Sequence, residues 1–167
     1  FGTYQVEFGT ATGYGRSPAD QGGNDATDSD ANAVTGLTAS VVLLAGNNNI
    51  TLDAGLYPLG SIAGTVRVDV DGDGVVDPED TAPLAGVTIL LLDGSGGLLA
   101  TTTTSLTGTY LFSDLPIGNY TVEQLLPTYY TNTYDVVPPN DRLIPRSLTA
   151  GQNSTGNDFY DTRPIAP

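Results

Sequence analysis

Asp69, Asp71, Asp73, Asp77, Glu79 and Asp80 crowd six carboxylates into twelve consecutive residues of a 167-residue chain. Like charges this close repel and raise one another's pKa values unless a cation sits between them. The spacing points to calcium. With Asp69 at position 1 of a twelve-residue loop, Asp71 stands at 3, Asp73 at 5, Gly74 at the sharp turn at 6, the Val75 carbonyl at 7, Asp77 at 9 and Asp80 at 12. Position 12 ordinarily carries a Glu that binds through both oxygens. Here the shorter Asp80 occupies it and Glu79 is displaced by one, so a modest affinity is expected.

Other chemistry is thinly supplied. Histidine, cysteine, methionine and tryptophan are absent, and the five basic residues, Arg16, Arg67, Arg142, Arg146 and Arg163, leave no lysine. There is thus no imidazole base, no thiol and no Schiff-base amine, and the serines fall in loops without a visible activating partner. A glycosidase-type carboxylate pair is arithmetically available among 19 acids, but nothing singles one out. The expectation is that the chain is not an enzyme. A net charge of −14 disfavours nucleic acid and anionic lipid, both of which require a basic surface, and makes cations the natural ligands. Without cysteine no disulfide staples the fold, a role that a bound ion can assume by stabilising only the folded state.

The elements that must position the acidic loop read as strands. Apolar and polar residues alternate with period two over Ile62 to Val70 and Tyr120 to Gln124. Val87 to Leu92 is nearly continuous in apolar character, as a central sandwich strand is, and Asp93-Gly94-Ser95-Gly96-Gly97 turns it into Leu98 to Thr104. Further turns at Ser105 to Thr109 and Leu115 to Asn119 frame Tyr110-Leu111-Phe112 and Tyr120. Short strands at this spacing with glycine turns predict an antiparallel β-sandwich without helices. The longest apolar stretches, Val41 to Ala45 and Ile89 to Leu92, are strand-sized and far short of the roughly 20 residues of a membrane span, so no membrane insertion is expected.

The chain also repeats itself. Phe1 to Glu7 and Ile117 to Glu123 share Gly, Tyr, Val and Glu at an offset of 116. Leu43, Ala45, Gly46, Asn48 and Asp53 match Leu148, Ala150, Gly151, Asn153 and Asp158 at an offset of 105, so the second copy carries a loop shorter by 116 − 105 = 11 residues. The predicted organisation is residues 1–57 as the closing half of one repeat, 58–163 as a complete repeat and 164–167 as a linker or tail. Tyr57-Pro58-Leu59 is expected to be a short, stiff junction.

These motifs carry a resemblance. Gly60 to Val66, the aspartate loop, Leu84 to Ile89, Thr101 to Thr104 and Gly108 to Pro116 resemble the B domains of bacterial serine-aspartate-repeat surface proteins, a branch of the collagen-adhesin B-type, prealbumin-like sandwiches. Gly22 to Ala31 and Ala45 to Tyr57 resemble the closing half of the same domain. The resemblance implies tandem antiparallel Ig-like or prealbumin-like β-sandwiches, one complete and one lacking its N-terminal half. It also implies a secreted or surface-attached protein with calcium-loaded sandwiches strung into a stalk. It adds Asp25, Asp28 and Asp30 as a second acidic cluster; an ordinary polar loop is the other reading. Many collagen-adhesin B domains carry a lysine–asparagine amide crosslink, and a chain without lysine cannot form one.

Together these readings predict a calcium-stabilised structural segment of an extracellular stalk or filament whose partners are neighbouring repeats or identical subunits. A module that grips host protein or glycan directly is the alternative. The chain opens at Phe1 without methionine or a hydrophobic signal core, the expectation for a processed or excised product. Two accounts of the half repeat stand open. Either it was cut from a longer array, or another subunit supplies the missing strands.

Overall fold

The structure is a computed structural model that describes residues 1–24 and 27–163. Asp25 and the expected tail at 164–167 lie outside the described residues. Every regular element among the described residues is a strand: β1 Gly2–Tyr4, β2 Tyr14–Arg16, β3 Val41–Leu43, β4 Leu56–Pro58, β5 Gly60–Val68, β6 Thr88–Asp93, β7 Leu98–Thr103, β8 Thr109–Leu115, β9 Gly118–Leu125, β10 Thr131–Asp135, β11 Leu143–Leu148, β12 Asn153–Ser154 and β13 Phe159–Thr162. They divide into two units, Phe1–Leu59 and Gly60–Pro167.

The second unit is a β-sandwich. One sheet runs β11-β9-β6-β7, and the other runs β10-β13-β5-β12 with β8 also on β5. In β5, Gly60, Ile62, Gly64 and Val66 all face inward, the period-two pattern of a strand with one wet face. Ile62 and Val66 meet Ile89 and Leu91 of β6, Tyr110 and Phe112 of β8, Val122 of β9, Ile144 of β11 and Phe159 of β13 in a single apolar core drawn from both sheets. Gly64 is required by close approach: a Cβ there would run into the backbone carbonyl of Asn157, on the segment that returns β13 to β5.

The expected sandwich contains one parallel seam. β13 runs parallel to β5, with Phe159 opposite Val66 and Asp161 opposite Val68, and β12 does the same further along. The first sheet is antiparallel throughout. Parallel neighbours need a long crossover between them, and here the chain passes through the whole opposite sheet before returning.

In the first unit, β1 pairs with β3 and β2 with β4, both antiparallel. The expected junction at Tyr57-Pro58-Leu59 is not a free linker, because Tyr57 and Pro58 pair with Gly15 and Tyr14 and the Leu59 amide donates to the Gly13 carbonyl at 2.8 Å. Pro58 is tolerated at the last position of this short strand because an edge position does not need its amide.

The repeat offsets translate into identical pairing. Gly2 opposite Leu43 and Tyr4 opposite Val41 become Gly118 opposite Leu148 and Tyr120 opposite Arg146 when 116 and 105 are added. Gly15 opposite Tyr57 and Arg16 opposite Leu56 become Thr131 opposite Thr162 and Asn132 opposite Asp161 in the same way. Both ladders of the closing half therefore recur in one register, although the intervening loops differ in length.

Leu91 is fully buried and Leu44 is 62% exposed. Leu91→Ala is expected to cost about 2–5 kcal/mol of unfolding free energy, and Leu44→Ala to stay within about 0.5 kcal/mol, measured by urea denaturation.

Candidate metal centre

The acidic loop leaves the end of β5 and returns before β6. Its base is closed by main-chain hydrogen bonds: Val68 N–H donates to the Ala82 carbonyl and Leu84 N–H to that of Val66, both at 2.9 Å. Thr104, buried at the end of β7, hooks the returning chain, since its hydroxyl donates to the Leu84 carbonyl at 2.7 Å and accepts from Val87 N–H. The last threonine of the 101–104 run is thus an internal fastener.

Asp69 is almost wholly buried at the root of the loop. Its backbone amide donates to the Asp161 carbonyl of β13, while its two carboxylate oxygens accept from Gly72 N–H at 2.7 Å and Gly74 N–H at 3.0 Å. Burial pushes this carboxyl up, and hydrogen bonds from the Thr133 side chain and the two glycine amides more than offset it, leaving its pKa below the ordinary value. Asp71 and Asp73 each accept from an amide two residues on, Asp73 N–H and Val75 N–H. These local bonds are the aspartate-turn geometry that bends a chain tightly. Gly74 has φ of +74° and faces the Thr133 carbonyl, so the sixth position needs glycine on both counts.

One carboxylate oxygen from each of Asp69, Asp71 and Asp73 lies within 4.8 Å of the other two. Calcium–oxygen distances of about 2.3–2.6 Å put any two oxygens on one ion no more than roughly 5 Å apart, so this trio fits a single hard cation. Asp71 also joins Asp77 and Glu79 in a second group of the same span. Burial and then the charge of Asp80, with smaller effects of Asp71 and Asp73, raise the Asp77 pKa.

The six carboxylates are therefore not equivalent. Asp80 is buried and turned toward the loop backbone, accepting from Val70 N–H at 2.9 Å and Asp77 N–H at 3.2 Å, and it belongs to neither cluster. Glu79, which the twelve-position template passes over, does belong to one. Its longer side chain was the visible signal. Val75 is exposed on the same loop. In the first unit, Asp30 accepts from the Asp53 amide at 2.8 Å, and neither it nor Asp28 joins a metal-sized carboxylate group among the described residues.

Behind Asp69 lies a polar knot. Asp161, on β13, is fully buried and accepts from the side-chain amides of Gln124 and Asn132. Burial raises its carboxyl to about 6, against which those hydrogen bonds and the Arg142 charge act.

The chain matches the SdrD B-like domain family over residues 1–56 and 60–155. It is 39% identical over 170 residues to serine-aspartate repeat-containing protein D of Staphylococcus aureus strain Newman, covering 96% of this chain and 12% of that protein. Against serine-aspartate repeat-containing protein F of Staphylococcus epidermidis it is 38% identical over 138 residues, 79% of this chain and 8% of that one. The chain thus spans about an eighth or less of these relatives' length. Among solved structures, the Bacillus anthracis TIE protein superposes with a TM-score of 0.52 at 16% identity, over 97% of this chain and 25% of its own, a likeness of fold.

Asp69 and Asp161, both buried, act oppositely on stability in metal-free protein. Asp69 stabilises above its ordinary value of 3.8, and that contribution is lost as pH falls through its lower folded value. Asp161 holds a proton in the folded state up to about 6 that the unfolded chain has already released, so stability falls as pH rises from 3.8 to about 6. Burial raises the Asp135 carboxyl as well, so melting curves across this range are expected to show the decline and Asp161→Asn to reduce it.

Proposed function

The chain belongs to the SdrD B-like domain family, and from that premise we propose that it is a structural repeat segment of an extracellular, surface-attached stalk or filament, stiffened by calcium. One observation carries the metal reading: Asp69, Asp71 and Asp73 bring carboxylate oxygens within 4.8 Å on a loop rooted in the sandwich. Calcium, when bound there, supplies the positive charge that relieves their repulsion. Asp69, Asp71 and Asp73 would hold it, with Asp77 and Glu79 beside them sharing Asp71.

The protein's own part is to present those oxygens. Gly72 and Gly74 amides hold both Asp69 oxygens, and Asp80 ties the Val70 and Asp77 amides together across the loop. Because Asp69 is bonded through its backbone to β13 and lies beside Thr133 of β10, order in the loop passes directly into the sheet. The partners in this reading are neighbouring repeats or identical subunits. No helix among the described residues is long and apolar enough to cross a membrane.

At calcium a hundredfold above its dissociation constant the folded state gains about 2.7 kcal/mol. A rise in Tm on the order of 10 °C over chelator-treated protein is expected for a sandwich of this size. Asp71→Ala is expected to lose calorimetric calcium binding, and a Tm unmoved by chelator would sink the reading.

A second reading is direct adhesion to host protein or glycan. It draws on a shallow apolar groove of about 220 Å³ lined by Val137, Pro138, Pro139, Leu143 and Pro145, beside Thr121 and Asp141. A stalk segment is expected to show no saturable binding to matrix proteins or glycan arrays in surface plasmon resonance; saturable binding abolished by Leu143→Asp would favour adhesion instead.

A further inference from the structure

The edges of the sandwich are protected unevenly. β10 is bulged between Asn132 and Tyr134, and Gly74 of the acidic loop faces its Thr133 carbonyl. β11 carries Pro145 and Arg146 at its middle. β8 shifts register against β5 between Phe112 and Leu115, where Asp114 takes a φ of +57°, and β12 is two residues long. Charges, prolines, bulges, covering loops and short lengths are the devices that keep an exposed strand edge from pairing with another chain. β7, the last strand of its sheet, has one irregularity, beside Leu98 and Leu99, and from Ala100 to Thr103 it keeps an unbroken register with none of these devices.

No residue from Leu98 to Thr109 is charged, in a chain of net charge −14. Leu98 and Leu99 are 61% and 53% exposed, and Thr101 and Thr103 are exposed too. Thr104 N–H donates to the Val87 carbonyl, and the ladder continues with Thr103 opposite Thr88 and Thr102 opposite Ile89. Hydrogen bonding alternates along an antiparallel pair, so Thr102 turns its N–H and C=O toward β6 while those of Thr101 and Thr103 point out of the sheet.

We infer that β7 is the surface on which two copies of this chain pair edge to edge, through antiparallel β7 strands related by a twofold axis at Thr102. Thr101 of one copy then stands opposite Thr103 of the other, each pair exchanging both of its main-chain hydrogen bonds across the axis. Identical strands laid antiparallel are self-complementary under such an axis, and strand addition at an open edge draws its affinity from these bonds. The side chains brought together are threonine on threonine, a favourable cross-strand pair. The occupant is a second copy because repulsion decides where two chains of charge −14 can meet, and this edge is both uncharged and undefended. The inference deepens the reading of identical subunits as partners and rests on it, not on the calcium site.

Sedimentation equilibrium of the full chain in saturating calcium, from micromolar to millimolar concentration, is expected to show monomers in exchange with dimers. Thr101→Pro removes an outward amide, a change an edge strand tolerates, and Thr101→Lys adds an edge charge and leaves the backbone alone. Each is expected to weaken dimerisation by about tenfold or more. Because the chain has no cysteine, a mixture of Thr101→Cys and Thr103→Cys chains reads the register. Opposite residues of a hydrogen-bonded pair lie about 5.5 Å apart, within disulfide reach, whereas neither position stands opposite its own copy. The mixture is expected to cross-link about tenfold faster than either variant by itself. A chain that stays monomeric throughout overturns the proposal. So does a dimer that Thr101→Lys leaves intact, and so does a mixture that cross-links no faster than its components. Failure of the metal reading would appear separately, as an absent calorimetric signal at the Asp71 loop.

Discussion

Repulsion among the carboxylates between Asp69 and Asp80 is the constraint around which the second unit is arranged. A free chain would relieve it by spreading the charges. Here backbone amides prevent that: Gly72 and Gly74 donate to Asp69, Asp73 and Val75 donate within the turn, and Val70 and Asp77 donate to Asp80. Each is a charge-assisted bond, stronger than a neutral one, and each fixes a backbone torsion while it stabilises a negative charge. The loop is thereby shaped by the chain's own hydrogen bonds.

That arrangement depends on the sheet beneath it. Asp69 begins the loop at the point where β5 meets β13 in the parallel seam, and the Asp161 carbonyl on β13 receives its amide. The same Asp161 turns its carboxyl inward to Gln124 and Asn132. A buried carboxyl with two amide donors is well satisfied but costly to charge, which is why burial dominates its titration. Backbone and side chain of one residue thus serve the loop on one side and the core on the other.

The half repeat shows what strand pairing does and does not need. Two short ladders keep the register of their complete counterparts even though Tyr4 and Val6 stand in solvent. Beside them, Phe8 N–H donates to the Gly36 carbonyl, Thr38 N–H to the Val6 carbonyl, and Arg16 reaches back to the Phe8 carbonyl through both Nε and a terminal nitrogen. Core burial is a separate matter, because it needs the opposite sheet and the strands that flank β9 and β13.

Much of this was legible in the residues alone. Period-two alternation located β5 and β9, the glycine-rich turn located the β6–β7 hairpin, and the two offsets anticipated the shared ladders, because each depends on neighbours close in sequence or on repeated sequence. The aspartate spacing pointed to Asp69, Asp71, Asp73, Val75, Asp77 and Asp80 together, and of these Asp69, Asp71 and Asp73 bring one oxygen each within 4.8 Å. Only the tertiary structure could show that Tyr57 and Pro58 form a strand, that β13 lies parallel to β5, that Asp80 faces the backbone while Glu79 joins Asp71 and Asp77, and that Asp161 is buried behind Asp69. The division has a physical cause. Local torsions and alternation are written into adjacent residues, whereas the seating of the loop on the sheet, through Asp69 N–H to the carbonyl of Asp161, and the burial of Asp161 against Gln124 and Asn132 depend on partners far away in the chain, which only the closed sandwich brings near.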